Sequence, residues 1–179
     1  SLKGLVLVSA KKSIFIAGAD LTALAKTREA SELTEMIEAG QRTFNRIAAL
    51  RIPTVAAIHG ACVGGGCEIA LACDYRLASP DKSTKIGLPE TMLGILPAWG
   101  GSTRLPRLIG LPKALDIILA GKTVAAKPAL KCGLIDDIVP REYLVDKASR
   151  LILARGHSLR ARRQPVHRRL IHNPIVARL

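Results

Sequence analysis

The sequence predicts an α/β domain whose strands pair largely in parallel, and two observations support this prediction. Short apolar stretches typical of strands alternate along the chain with stretches in which apolar residues recur every three or four positions. Hydrophobic residues make up 49% of the 179 positions, so the chain can bury a sizeable core. Helices that connect successive strands bring those strands into parallel alignment, and the alternation therefore favours parallel pairing.

The first half of the chain predicts two short strands, a helix and a buried strand. The strands span residues 2–8 and 13–16, and the helix follows from the apolar spacing between Leu33 and Ile47. Gly40 inside this helix is unfavourable by about 1 kcal/mol relative to alanine, so we expect a close contact there. Beyond a buried strand at 54–58, the predicted elements are a helix at 67–73, a strand at 74–78, helices at 103–109, 113–120 and 125–132, a strand at 135–139 and a helix at 142–154.

The charge of the chain is unevenly distributed, which divides it into a core at 1–154 and a basic helical C-terminal segment at 155–179. That segment holds seven arginines and no acidic residue, within a net charge of +13 for the whole chain. It could bind nucleic acid, or it could be a solvated helical face cut off from its acidic partners. Aromatic residues are only 3% of the chain, too few for a base-stacking platform, so nucleic acid is the disfavoured partner.

Cysteine usage and hydropathy predict a cytoplasmic protein without a membrane segment. No apolar run reaches the roughly 20 residues that a membrane helix needs, and Ser1 leads directly into a strand-like stretch rather than a signal peptide. The four cysteines form no CxxC pair, which favours free thiols in a reducing compartment. No histidines stand at ligand spacing, so no metal site is expected. The missing initiator methionine suggests a truncated chain.

The run Gly64-Gly65-Gly66 between a predicted strand and a predicted helix is the most informative local feature. Glycines allow positive φ and let a ligand approach the backbone closely. The free N–H groups of the first helical turn would point outward with the positive end of the helix dipole, which suits an oxyanion. Glu68 lies in the same turn. The alternative is a tight strand–helix junction in which Glu68 merely stabilises the dipole.

Two further segments offer groups that would complement this junction. Glu90 follows Pro89, which fixes the local backbone, and a pair of carboxyl groups in apolar surroundings has the perturbed pKa values that suit proton transfer. Taken alone, Glu90 would be a surface residue. The strand that ends in Ala17-Gly18-Ala19-Asp20 could supply a second amide to the same oxyanion; alternatively, Asp20 simply caps a helix.

In this order and spacing, the three segments resemble the crotonase (enoyl-CoA hydratase/isomerase) superfamily over residues 2–154. The sequence is most similar to the hydratase part of bifunctional fatty-acid β-oxidation enzymes. The resemblance implies a crotonase-like ββα spiral with C-terminal helices, from which the family's N-terminal strands are missing here. It also implies that the backbone amides of Ala19 and Gly65 form an oxyanion hole, and that Glu68 and Glu90 handle water and protons.

The resemblance also assigns substrate contacts. The carbonyl of Ala17 is expected to meet the adenine of CoA, and Ala98 stands where many relatives have a glycine whose amide positions the water. Alanine keeps that amide but restricts φ. The other residues expected to line the substrate site are Gly18, Asp20, Gly64 and Gly66.

The implied activity is hydration of the 2,3-double bond of a 2-enoyl-CoA thioester, a hydro-lyase reaction that needs no metal or redox cofactor. The alternatives are a Δ3–Δ2 enoyl-CoA isomerase and an RNA-binding relative. Retention of both glutamates favours the hydratase, since isomerisation can run on one. The expected partners are the acyl-CoA substrate and either further copies of the chain or a covalently linked 3-hydroxyacyl-CoA dehydrogenase domain.

Overall fold

The computed structural model describes residues 2–20 and 29–155 of the chain. The predicted basic segment therefore lies outside the described residues, apart from residue 155. No helix in the described part is long and apolar enough to cross a membrane. In chain order, the elements are β1 (Leu5–Val8), β2 (Ile14–Ile16), α1 (Ala30–Ala48), β3 (Thr54–Ile58), β4 (Ala61–Val63), α2 (Gly65–Ala72), β5 (Tyr75–Ala78), β6 (Lys85–Gly87), a 3-10 turn (Glu90–Leu93), α3 (Gly101–Ile109), α4 (Leu111–Leu119), β7 (Thr123–Val124), α5 (Ala126–Lys131), β8 (Asp137–Ile138), a second 3-10 turn (Arg141–Tyr143) and α6 (Leu144–Arg155).

The strands form two four-stranded sheets, and the strands from β1 to β6 alternate between them. One sheet has the order β1-β3-β5-β8 and is parallel throughout, while the other has the order β2-β4-β6-β7. Only the β6–β7 pair of the described strands is antiparallel. Two strands, one in each sheet, precede each of α1 and α2, which is the repeated ββα unit that the resemblance implies. The predicted α/β class with largely parallel pairing is thus confirmed.

A buried histidine joins the corners at which the chain passes from one sheet to the other. Nε2 of His59 lies 2.7 Å from the carbonyl oxygen of Lys12, and Nδ1 lies 2.8 Å from the hydroxyl of Ser79. Because a carbonyl can only accept, Nε2 carries a proton and donates a hydrogen bond to Lys12. Next to it, Gly60 has a φ of +80°, and a β-carbon there would run into the backbone of Ser13. These contacts fix the crossing from β3 to β4.

The buried guanidinium of Arg76 ties the end of α2 to the segment that leads into β8. The residue is only 1% exposed. It donates to the carbonyl oxygens of Leu134 at 2.8 Å, Cys73 at 2.9 Å and Ala70 at 3.2 Å, and to the carboxylate of Asp136 at 3.0 Å. At the end of α2, the guanidinium thus satisfies the carbonyl of Cys73 and adds a second donor to that of Ala70, which also accepts from the N–H of Cys73. Arg76 thereby fixes the C-terminal end of α2 to the segment before β8.

The structure differs from the sequence prediction in its shortest elements. Strands β4, β6 and β7 have only two or three residues, too few to show an alternating pattern, and the prediction did not include them. Helix α2 begins at Gly65, two residues earlier than predicted. Consequently only Gly64 of the three glycines has a positive φ, +58°, whereas Gly65 and Gly66 are helical.

Candidate active site

Two backbone amides are brought together by neighbouring strands of one sheet. In the β2–β4 pair, Ile16 lies opposite Cys62, and Ala19 and Gly65 each follow three residues later. Gly18, with a φ of +97°, packs so closely on the second segment that a β-carbon there would lie 3.7 Å from the nitrogen of Gly65. The Gly65 N–H is the first amide of α2 and has no partner within the helix. The structure thus places the two predicted oxyanion donors on adjoining turns.

The glycines around Gly65 allow this close approach. Gly64 turns the chain from β4 into α2, and a β-carbon on it would lie 3.5 Å from Oε1 of Glu90. A β-carbon on Gly66 would collide with the carbonyl oxygen of Ile16, so α2 packs directly on the backbone of β2. A side chain on Gly66 would push β2 and α2 apart, whereas at Gly64 it is the φ of +58° that disfavours other residues.

Glu68 lies in the first turn of α2 and is only 2% exposed. Its Oε1 accepts hydrogen bonds from the backbone N–H groups of Trp99 and Gly101, both at 2.8 Å. Burial raises the pKa of this carboxyl, while the two hydrogen bonds and the positive charge of Arg104 oppose the rise. Because both bonds fall on Oε1, the second oxygen, Oε2, is left to act on a ligand.

Glu90 opens the 3-10 turn after β6 and is half-buried. Its Oε2 is buried, and no described residue offers it a hydrogen bond. The pKa of Glu90 is raised to about 7, mainly by burial; the charge of Glu68 adds to the rise, and a backbone hydrogen bond opposes it. The second carboxyl therefore stands beside Gly64 and can exchange a proton near neutral pH.

Sequence reasoning missed the role of Trp99, whose indole lies against this junction. A β-carbon on Gly65 would come 2.6 Å from Cζ3 of the ring, and one on Gly40 of α1 would come 2.5 Å from Cδ1. The ring also meets Phe44 edge to face, with centroids 5.6 Å apart. The close contact predicted at Gly40 is thus confirmed, and a glycine within a helix, taken with the sole tryptophan, was the signal that could have found it.

The turn that carries Trp99 is also held to α1 by polar side chains. The amide of Gln41 donates to the carbonyl oxygen of Ala98 at 2.8 Å. Arg104 of α3 donates to the carbonyl oxygen of Trp99 at 2.9 Å and to Oδ1 of Asn45 at 2.6 Å. Ala98, predicted to help position the water, is thereby fixed in a turn shared by α1, α2 and α3.

The other predicted substrate residues lie around the same junction or on its rim. Ala17 and Asp20 are exposed at the end of β2, while Gly18 and Ala98 are partly buried. Their contacts with substrate remain predictions. Within residues 2–20 and 29–155, no group of three His, Cys, Asp or Glu side chains is arranged to hold a metal ion.

Curated relatives match almost the whole chain. The fatty acid oxidation complex subunit alpha of Vibrio cholerae serotype O1 is 48% identical over 178 residues, which are 99% of this chain and 25% of the relative. The protein of the same description from Shewanella amazonensis is 46% identical over 178 residues, again 99% of this chain and 25% of the relative. The chain therefore spans about a quarter of the length of these relatives.

Solved structures share the fold, and a family description covers most of the sequence. The enoyl-CoA hydratase of Bacillus anthracis superposes with a TM-score of 0.79 at 36% identity, over 84% of this chain and 57% of that one. The human mitochondrial delta3-delta2-enoyl-CoA isomerase superposes with a TM-score of 0.78 at 32% identity, over 93% and 62%. The sequence model described as "Enoyl-CoA hydratase/isomerase" matches residues 1–164. On this match and on its fold, the chain belongs to the enoyl-CoA hydratase/isomerase family.

Proposed function

We propose that this chain is an enoyl-CoA hydratase, a hydro-lyase that adds water across the 2,3-double bond of 2-enoyl-CoA thioesters. The observation that carries the proposal is the convergence of two carboxyl groups, Glu68 and Glu90, on the glycine junction that begins with Gly64. Hydration needs one group to take a proton from water and another to deliver a proton to carbon, and the two carboxyls match these needs.

The oxyanion hole is formed by the N–H groups of Ala19 and Gly65. Addition of water at C3 builds negative charge on the thioester oxygen, and donors already aimed at that oxygen stabilise the charge without reorganising. Each donor would contribute about 3 kcal/mol to the stabilisation of the transition state, as in other oxyanion holes. Gly18 supports this role, because its lack of a side chain leaves the Gly65 nitrogen accessible.

The two carboxyl groups take different parts in the proton transfer. Glu68 is held through Oε1 by the amides of Trp99 and Gly101, so its Oε2 orients the water and accepts its proton as the oxygen–C3 bond forms. Glu90 has a pKa of about 7 and is therefore partly protonated near neutral pH. It donates its proton to C2 as the double bond is lost. Proton exchange with solvent then restores both groups.

The remaining residues bind the substrate, and the reaction needs no cofactor beyond the CoA that the substrate carries. The carbonyl of Ala17 meets the adenine, and the amide of Ala98 helps to hold the water. The other residues of the substrate site are Gly18, Asp20, Gly64 and Gly66. Support for this assignment comes from their position on the turns that flank Gly65 and Glu68.

The second candidate activity is Δ3–Δ2 enoyl-CoA isomerisation, which the human isomerase at 32% identity brings into consideration. Isomerisation moves a proton between carbons and can run on one carboxyl group, whereas this chain presents two. The hydratase is therefore preferred. The RNA-binding alternative was motivated by residues 155–179, which lie outside the described part except for residue 155.

In the whole protein, this chain would be one part of a longer, multifunctional polypeptide. Support comes from relatives of which it spans a quarter and whose description names a fatty acid oxidation complex. We expect a linked 3-hydroxyacyl-CoA dehydrogenase domain, which would oxidise the hydration product, or else an assembly of like chains. The four cysteines are free thiols, which supports the cytoplasm as the location.

Loss of the enoyl absorbance of crotonyl-CoA in the presence of the purified chain tests the proposed function. Glu68→Gln and Glu90→Gln should each reduce the rate at least about a hundredfold, the usual value of general acid–base help. Glu142→Gln, at an exposed position in the second 3-10 turn, serves as the control and should leave the rate unchanged. Turnover of a 3-enoyl-CoA without hydration would instead assign the isomerase, and full hydration by both variants would overturn the mechanism.

A further inference from the structure

The indole of Trp99 occupies a gap between α1 and α2 that two glycines leave open. On the side of α1, the ring lies where a side chain of Gly40 would be and meets the edge of Phe44. On the side of α2, it covers Gly65, the proposed oxyanion donor. The ring therefore has little room to shift without moving one of the two helices.

The backbone of the same residue holds the buried carboxylate. The N–H of Trp99 and the N–H of Gly101 both donate to Oε1 of Glu68, while the carbonyl of Trp99 accepts from Arg104. A movement of the indole is thus transmitted to the peptide that binds Glu68. Since Glu68 is buried, these two donors favour its ionised form and fix its orientation.

We propose that Trp99 is a positioning residue for Glu68: its indole, packed between Gly40 and Gly65, fixes the turn at 97–101 so that two amides hold the carboxylate. The effect on turnover rests on the proposed function, but the effect on Glu68 itself does not. The ionisable groups that act on Glu68 or lie beside it are Arg104 on α3, Glu90 in the 3-10 turn and Cys67 on α2.

Three variants and one control test this role. Trp99→Ala removes the ring. Gly40→Ala adds a methyl group that displaces the ring, and this change lies in α1, which provides none of the proposed catalytic groups. Both should lower kcat toward crotonyl-CoA by about a hundredfold, the cost of displacing a reacting group by about 1 Å. Trp99→Phe retains an aromatic ring and should restore most of the rate. Thr43→Ala, an exposed change one turn along α1, is the control and should leave kcat as it is.

The pH dependence distinguishes positioning from general structural damage. Gly40→Ala keeps the indole, so Glu68 stays buried but loses donors that lower its pKa, and the acid limb of the pH–rate profile should move to higher pH. Carbon-13 NMR titration of the Glu68 carboxyl, assigned with Glu68→Gln, measures the same change without substrate. An unchanged Glu68 titration in folded Gly40→Ala would overturn the proposal even if Trp99→Ala failed to fold. An inactive wild type would overturn the hydratase assignment instead, while the titration would still decide the positioning role.

Discussion

The indole of Trp99 lies against Gly65 so closely that a β-carbon on the glycine would come 2.6 Å from Cζ3 and 2.8 Å from Cε3. Real β-carbons do not approach other atoms to this distance, so any side chain at residue 65 must displace either the ring or the start of α2. The absence of a side chain at this position is thus required by packing, whatever the role proposed for its amide.

Gly65→Ala should therefore impair turnover although it adds only one methyl group. We expect a loss of at least about a hundredfold in kcat for crotonyl-CoA, because the oxyanion donor is moved out of line. Gly133→Ala is the control: its φ of +79° disfavours alanine, but no atom lies within 4 Å of the added carbon. The control should lose stability in thermal unfolding and keep its kcat. Equal kcat values for Gly65→Ala and the wild type would remove Gly65 from the oxyanion hole.

The raised pKa of Glu90 predicts how the rate depends on pH. If protonated Glu90 supplies the proton to C2, kcat/KM should fall as pH rises above about 7. This fall of kcat/KM on the alkaline side of the pH profile (the alkaline limb) should be missing in the residual activity of Glu90→Gln, since glutamine does not titrate. Stopped-flow rates between pH 5 and pH 9 would provide the check, and an alkaline limb that persists in the variant would assign it to another group.

The same pKa makes a prediction about stability. Glu90 has a pKa of about 7 in the folded chain, against 4.5 for an unperturbed glutamate, so the folded state binds more protons than the unfolded state between these pH values. The stability that Glu90 contributes is present below pH 4.5 and is lost as pH rises through 7. Glu90→Gln should thus raise Tm relative to the wild type more at pH 8 than at pH 4.5. A difference in Tm that is independent of pH would contradict the burial of this carboxyl.

Arg76 should be one of the most sensitive positions for folding. Arg76→Ala removes the side-chain donor to the carbonyls of Leu134 and Cys73 and leaves Asp136 without its ion-pair partner. The carbonyl of Ala70 would keep only its bond from the N–H of Cys73. The expected loss is about 3–5 kcal/mol in the free energy of unfolding, measured with denaturant. Arg42→Ala, which breaks an exposed pair with Glu38, is the control and should lose less than about 1 kcal/mol.

Thiol titration offers a test of the core. Cys62, Cys67 and Cys73 are buried, and burial raises the pKa of all three thiols, that of Cys73 to about 11. Since the thiolate is the reactive form, these three should resist a disulfide reagent in the folded chain. Cys132 is less buried and should react first. We expect three thiols to react slowly with the reagent in the folded chain and rapidly in denaturant. Rapid reaction of all four thiols in the folded chain would contradict the packing of α2.

The sequence predicts most of the fold because its longer elements carry strong local signals. The apolar spacing around Ile47 and the apolar run that starts at Thr54 each extend over enough residues to distinguish helix from strand. The sequence also predicts that Glu68 and Glu90 lie beside turns, because Gly64-Gly65-Gly66 precede the first and Pro89 precedes the second. Their roles followed from the resemblance rather than from the spacing itself.

What the sequence could not predict depends on contacts between residues distant along the chain. Strand β4 has three residues and exists because neighbouring strands hydrogen-bond to it. The packing of Trp99 against Gly65 joins positions 34 residues apart, and its contact with Gly40 joins positions 59 apart. Neither contact can be read from hydrophobic periodicity, which reports only spacings of two to four residues. Likewise, the two amides that bind Glu68 come from a turn whose shape is determined by α1 and α3.

Ile16 and Cys62 are paired in neighbouring strands, and Ala19 and Gly65 each lie three residues beyond one of them. This equal number of residues limits how the site can change during evolution. The two turns that carry the proposed amide donors thus leave adjacent strands, which are spaced about 4.8 Å apart in any sheet. Many side chains could be exchanged along β2 and β4 while the donors kept their separation. A single inserted or deleted residue in either connection would break the match. Length variation in these two short connections is therefore a stricter barrier to divergence than substitution in the strands themselves.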